Sequence, residues 1–162
     1  MGRPAAPRSF CYIIKNMEKI AIFTKSDNET KKLGGLFAKE ILKEKQSKNA
    51  LVISLEGDLG AGKTTFTQGF AKGLGVREIP RSPTFVIMRV YAIRSRRLIH
   101  IDAYRIKSKD LKMLGWRDLI KNPQNIILVE WGNKIKNILP KGSLRIKFFH
   151  KKNAHERILR IG

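Results

Sequence analysis

The stretch GDLGAGKTTF at residues 57–66 constrains this chain more than any other. It follows the nearly continuous apolar run ALVISLE and leads into KTTFTQGFAKGLG, a segment with helical character. A nearly continuous apolar run reads as a strand covered on both faces. A glycine-rich connection from such a strand into a helix lets several backbone N–H groups turn inward. Together with the positive end of the new helix they form a cradle for phosphate. Gly57, Gly62, Lys63 and Thr64 fit G-x-x-x-x-G-K-[ST] in the strand-to-helix setting that gives the motif its meaning. In that pattern Lys63 reaches the β and γ phosphates and the Thr64 hydroxyl ligates Mg²⁺. The full motif in this context disfavours the alternative, a glycine-rich turn with no ligand.

The rest of the chain supplies the elements around that loop. KIAIFTKS reads as a strand, and DNETKKLGGLFAKEILKE spaces Leu33, Leu36, Phe37, Ile41 and Leu42 along one helix face, with Ser26 or Asp27 as its cap. The helix after the loop is expected to end at Gly73 or Gly75. TFVIMRVYAI and RRLIHIDAYRI form a predicted antiparallel hairpin turning near Arg94 and Ser95. SKDLKMLGW predicts a short helix capped by Ser108, NIILVEW a buried strand, NKIKNIL a helical turn or two, and SLRIKFF with ERILRI a last hairpin. At 162 residues the chain has the size of one domain. About seven strands and three or four helices predict a single-domain α/β fold of the P-loop NTPase type, with a mixed central sheet flanked by helices.

A phosphate cradle needs a carboxylate for the metal or its waters, and a buried strand ending in an acid supplies one. Glu130 closes IILVE and Asp102 closes LIHID. Glu130 suits a central strand beside the loop; its alternative is a surface acid at a strand end. For Asp102 the alternative is a salt bridge to Arg105. Thr84, in RSPTF after the loop helix, offers a hydroxyl of the kind that contacts Mg²⁺ or a γ-phosphate in nucleotide switches, although a Pro-Thr start to a strand is common. Trp131, next to Glu130, reads as core or edge packing more readily than as a platform for a base.

Charge and composition set the remaining bounds. Lys and Arg number 34 against 13 Asp and Glu, a net charge of +21 that favours polyanionic partners without saying which. The lysines are scattered, so a solvated surface is the competing reading. No apolar run approaches the roughly 20 residues that span a bilayer. Cys11 is the sole cysteine, which excludes an internal disulfide and suits a reducing cytoplasm. Residues 1–16, MGRPAAPRSFCYIIKN, are expected to be a disordered extension, with the domain running from Met17 to residue 162. The FCYII patch is too short for the apolar core of a signal peptide, about 7–15 residues.

The ordered set GDLGAGKTTF, SPTF, HIDAYR, GWRDLI and ILVEW resembles the bacterial TsaE (YjeE) P-loop ATPases over nearly the whole domain, from Ile20 to Leu159. The resemblance implies a Mg²⁺-dependent, ATP/ADP-binding hydrolase required for threonylcarbamoyladenosine modification of tRNA. It implies that this ATPase acts with TsaD and TsaB, resetting their machinery rather than making the modified base. By the same resemblance Asp58, Leu59, Gly60, Ala61, Gly62, Lys63, Thr64 and Thr65 hold the nucleotide, with Trp131 beside it. Thr64 and Glu130 serve the metal, Asp102 orients the attacking water, and Thr84 senses the γ-phosphate. The stretch from Thr24 to Asp27 approaches the adenine and the neighbourhood of His155 closes the other side. No arginine finger is evident in the sequence, so slow intrinsic turnover is expected, with a partner completing the site. Contact with tRNA is expected to be weak or indirect, through the basic surface. Two other readings compete: a small-molecule kinase using IRSRRL as a lid, and a basic RNA-binding module whose nucleotide site is structural only.

Overall fold

The computed structural model describes residues 20–78, 80, 86–153 and 155–162. β1 (Ile20–Thr24) leads to α1 (Asp27–Lys43), and β2 (Leu51–Glu56) leads to α2 (Lys63–Leu74). The hairpin β3 (Met88–Ile93) and β4 (Arg96–Asp102) follows, then two short helices, α3 (Ser108–Met113) and α4 (Trp116–Lys121). β5 (Asn125–Glu130), a 3₁₀ segment (Gly132–Ile138) and the hairpin β6 (Leu144–His150) and β7 (Arg157–Ile161) complete the chain. The strands form one sheet in the order β1-β7-β6-β2-β5-β4-β3. Its four central strands, β6, β2, β5 and β4, are parallel neighbours, while β3, β7 and β1 add antiparallel edges. The mixed seven-stranded α/β sheet expected from the sequence is therefore present, with both hairpins.

Burial explains why these runs are strands. All six residues of β5 are buried, because helices cover both faces of the central sheet. Side chains alternate across the sheet. Ile126 and Leu128 face the layer of α1 and α2, where Phe37, Phe66, Phe70 and Phe148 form the core. Ile127 and Val129 face α3, α4 and the 3₁₀ segment, beside Trp116 and Ile135. The same alternation sends Glu130, the last residue of β5, toward α2. The helices α1 and α2 approach so closely that a Cβ at Gly69 would stand 1.9 Å from the carbonyl oxygen of Lys31. That contact brings α2, and with it the loop at its start, into fixed register with the layer.

The ends of the elements follow local chemistry. Ser26 caps α1 by accepting the Glu29 N–H at 3.1 Å, while the Glu29 carboxylate accepts the Lys25 N–H at 2.7 Å. Gly75, at φ 91°, closes α2. Ser108 does not cap α3. It is the first helical residue and its hydroxyl turns to Asn137, while the Asp110 carboxylate accepts the Lys107 N–H. The SKDLKMLGW segment is also interrupted: Gly115 at φ 80° ends its helix and Trp116 starts another.

Candidate nucleotide site

The loop of residues 57–62 leaves the C-terminal end of β2 and closes over the start of α2. Asp58, Leu59 and Gly60 form its exposed crest, whereas Ala61, Gly62 and Lys63 are buried and Thr64 and Thr65 half-buried. Gly62 has φ 98°, and a Cβ there would meet the Arg157 Nε at 2.9 Å. Both the backbone angle and the guanidinium behind it require glycine at this position.

Lys63 is only 4% exposed. Its Nζ donates to the carbonyl oxygens of Gly57 at 2.8 Å and Asp58 at 2.7 Å, and lies 3.8 Å from the centre of the Trp131 ring. Burial lowers the Lys63 pKa from its ordinary value, against the pull of Glu130, Asp102 and Asp58, which raise it. The lysine is thus held desolvated and pointed into the loop. The hydrogen bonds it makes there are ones that phosphate oxygens can replace.

Glu130 anchors the other side. Its Oε2 accepts the Thr64 hydroxyl at 2.8 Å, and its Oε1 lies 3.2 Å from the Thr67 hydroxyl and 2.9 Å from His100 Nε2. The parallel register places Asp102 directly beside Glu130, so two buried carboxylates sit at adjacent strand ends. Asp102 Oδ1 accepts the Tyr104 N–H at 2.8 Å, which bends the chain away from the sheet. The structure brings Lys63, Thr64, Asp102, Glu130 and Trp131 together at the mouth of the loop. Thr84 and residues 1–16 lie outside the described residues.

Trp131 adopts φ 61°, a left-handed conformation rare for a bulky side chain. That turn swings its ring from the end of β5 over Lys63. Tyr104 packs against the ring at 4.9 Å between centroids, and the Lys134 ammonium lies 4.3 Å from the centre of the Tyr104 ring. The ring thus does more than fill an edge: it covers the cationic tip of Lys63.

Three residues not singled out by the sequence belong to this constellation. Thr67 sits one turn beyond Lys63 on α2, a spacing of four that places it on the same helix face. His100 is fully buried and lies two residues before Asp102, so strand alternation sends both to the α2 side. With Nε2 donating to Glu130, His100 Nδ1 has no hydrogen-bond partner among the described residues. Arg157 comes from the distant strand β7. It is 5% exposed, lies beside Gly62, and has Nη2 3.5 Å from Asp27 Oδ1. His155 Nδ1 is 3.3 Å from the other oxygen of Asp27. The two stretches expected to flank an adenine, around Asp27 and around His155, are thereby joined at one edge of the loop. His150 Nε2, 3.1 Å from the Leu59 carbonyl, ties β6 to its crest.

The donor set suits a magnesium nucleotide. Mg²⁺ usually takes one or two protein oxygens and fills its octahedron with water and phosphate. Thr64 Oγ1 and Glu130 Oε2, already within hydrogen-bond distance of each other, are such a pair. Among the described residues no group of three or more His, Cys, Asp or Glu is placed to hold a metal by itself.

Sheet order, loop and flanking helices define an α/β protein of the P-loop class. A family model described as threonylcarbamoyl adenosine biosynthesis protein TsaE matches residues 24–159. The chain belongs to the TsaE family. It is 34% identical over 131 residues to the tRNA threonylcarbamoyladenosine biosynthesis protein TsaE of Haemophilus influenzae, covering 80% of this chain and 82% of that one. It is 47% identical over 97 residues to the protein of that name from Bacillus subtilis, covering 59% of each. A crystal structure of YdiB from Bacillus subtilis superposes with a TM-score of 0.70 at 34% identity, over 89% of this chain and 84% of that one.

Proposed function

We propose that this protein is a Mg²⁺-dependent ATPase required for threonylcarbamoyladenosine modification of tRNA, working in the cytoplasm with TsaB and TsaD. The observation that carries the reading is the Lys63–Thr64–Glu130 arrangement at the mouth of the glycine-rich loop. Lys63 exchanges its two carbonyl partners for the β and γ phosphate oxygens of ATP, and the loop N–H groups and the start of α2 share the remaining charge. Thr64 and Glu130 hold Mg²⁺, which when bound neutralises charge developing on the transferring phosphoryl group. Asp102 accepts a hydrogen bond from the attacking water and orients it. Thr84 senses the γ-phosphate. Trp131 uncovers Lys63 as the nucleotide enters and remains beside it.

Arg157 is read beside the expectation that no arginine finger is evident. It is a buried guanidinium beside Gly62, held by the Glu156 carbonyl and Asp27, and we read it as lending positive charge to the back of the loop. Its fixed position behind the loop fits a ground-state role, so slow turnover completed by a partner remains the proposal. The names of the related proteins support the pathway. Among the described residues no helix is long and apolar enough to cross a membrane. The competing kinase reading loses its lid, because IRSRRL forms the tight β3–β4 turn, with Arg94 at φ 45° and Arg96 and Arg97 in the ladder. Capture of purified TsaB and TsaD by the immobilised protein, with ATP, ADP or no nucleotide, tests the assignment. Nucleotide-dependent retention is expected; equal recovery of an unrelated control protein refutes the partnership.

A further inference from the structure

A groove of about 960 Å³ runs between α1 and α2 on the outer face of that layer. Lys31, Lys32 and Lys39 stand on the α1 wall; Lys72 and Arg77 stand on the α2 wall and just beyond it. All five are exposed, and among the described residues none of them forms an ion pair. Glu78 is the single acid in the lining. The floor is low because the helices meet through glycines: a Cβ at Gly73 would approach the Gly35 carbonyl to 2.6 Å. Leu36, 59% exposed, is the main apolar surface.

We propose that this groove binds the phosphate backbone of RNA. Among the described residues, five cations against one acid surround a channel that contains no aromatic anchor. Protein-binding surfaces have the opposite character, with charge, and lysine in particular, depleted at their centre and aromatic side chains enriched. Surfaces that bind nucleic acid are strongly positive and take most of their hydrogen bonds from phosphates. From Lys31 to Lys39 the α1 wall extends about 12 Å at 1.5 Å per residue, enough for a short run of backbone. Such contacts position an RNA without reading its sequence. The groove lies outside the loop constellation, so RNA and nucleotide occupy different sites. The groove stands apart from the proposed ATPase activity; only the choice of tRNA as its natural occupant rests on that reading.

The test is fluorescence anisotropy with bulk tRNA, from about 50 to 200 mM salt. The triple variant Lys31→Glu, Lys39→Glu, Lys72→Glu is compared with Lys109→Glu, Lys112→Glu, Lys121→Glu, which alters charge equally on the opposite side of the sheet. If all five cations contact phosphates, the logarithmic salt slope contributed by the groove is about −3.5 for single-stranded and about −4.5 for duplex RNA. The groove variant is expected to lose at least about tenfold in affinity and about 2 to 3 units of that slope; the control loses less than about threefold. Circular dichroism confirms folding, and Lys→Gln versions replace any variant that fails to fold. Equal losses in the two variants assign RNA binding to diffuse charge and overturn the proposal. Displacement of tRNA by poly-glutamate at equal or lower concentration, lost in the groove variant, assigns the groove to an acidic protein and also overturns it. ATP binding is measured on the same samples. Its absence with groove binding intact faults the proposed ATPase and leaves the groove standing.

Discussion

Replacing Glu130 with glutamine separates a metal-binding role from a structural one. The carboxylate is 2% exposed and faces the Thr64 hydroxyl at 2.8 Å and His100 Nε2 at 2.9 Å, while the Thr67 hydroxyl at 3.2 Å shares its single proton with the Lys63 carbonyl at 2.9 Å. A hydrogen bond to a charged group contributes about 1.5–3 kcal/mol and a neutral one about 0.5–1.5. Glutamine keeps one acceptor oxygen and turns the other into an NH₂ donor, so at least one of these bonds is lost and the rest become neutral, a cost of about 2–3 kcal/mol. The variant no longer desolvates an ion, which costs several kcal/mol and offsets much of that loss. A net change in stability within about 2 kcal/mol is expected, a shift of less than about 8 °C in Tm for a chain of this size. The effect on Mg²⁺ is larger. Loss of outer partners of a metal ligand already lowers affinity about 10–100-fold, so loss of the ligand's charge should lower Mg²⁺-dependent ATP affinity by about 100-fold or more. Nucleotide is titrated into both proteins in Mg²⁺ and in EDTA. A large loss in Mg²⁺ with less than about a threefold change in EDTA is expected. An equal loss in both conditions would refute the reasoning and make Glu130 a structural acid.

His100→Ala should lower Mg²⁺-dependent affinity about 10–100-fold, with partial recovery in His100→Gln, as read by the same titration. Asp102→Asn should lower single-turnover hydrolysis at least about 100-fold while changing ATP affinity little, because orienting the water contributes in the transition state. Lys63, its pKa lowered by burial, should make ATP affinity fall as pH rises through that depressed value. Between it and 10.5 the unfolded chain binds more protons, so this residue's contribution to the stability of the nucleotide-free protein rises with pH. Where the pH lies at or above that depressed value, calorimetry in buffers of different ionisation enthalpy should show proton uptake on ATP binding that disappears in Lys63→Ala.

The loop was legible because its chemistry is local: three glycines, a lysine and a threonine within eight positions carry the geometry with them. Glu130 and Asp102 were legible because each ends an apolar strand, and neighbouring parallel strands end side by side. His100 was hidden among the apolar residues of β4; only its spacing of two from Asp102 pointed toward the site. Arg157 carried no signal. It reaches Gly62 because β7 returns antiparallel beside β6, a tertiary pairing that no short motif encodes. The misplaced cap at Ser108 shows the same limit on a smaller scale. Serine suits a cap, but Asp110 supplies the capping carboxylate from inside the helix and Asn137 engages the serine from another segment.

Hydrolysis of ATP by the purified protein, measured with and without Mg²⁺ beside Lys63→Ala, tests the central claim most directly. In Lys63→Ala the lost hydrogen bonds and ring contact, together a few kcal/mol, are offset by the relieved burial of a charge, leaving stability within about 2 kcal/mol of wild type. The account predicts slow, Mg²⁺-dependent release of phosphate by the wild-type protein and none above background by the folded variant. Turnover by Lys63→Ala at the wild-type rate would contradict it.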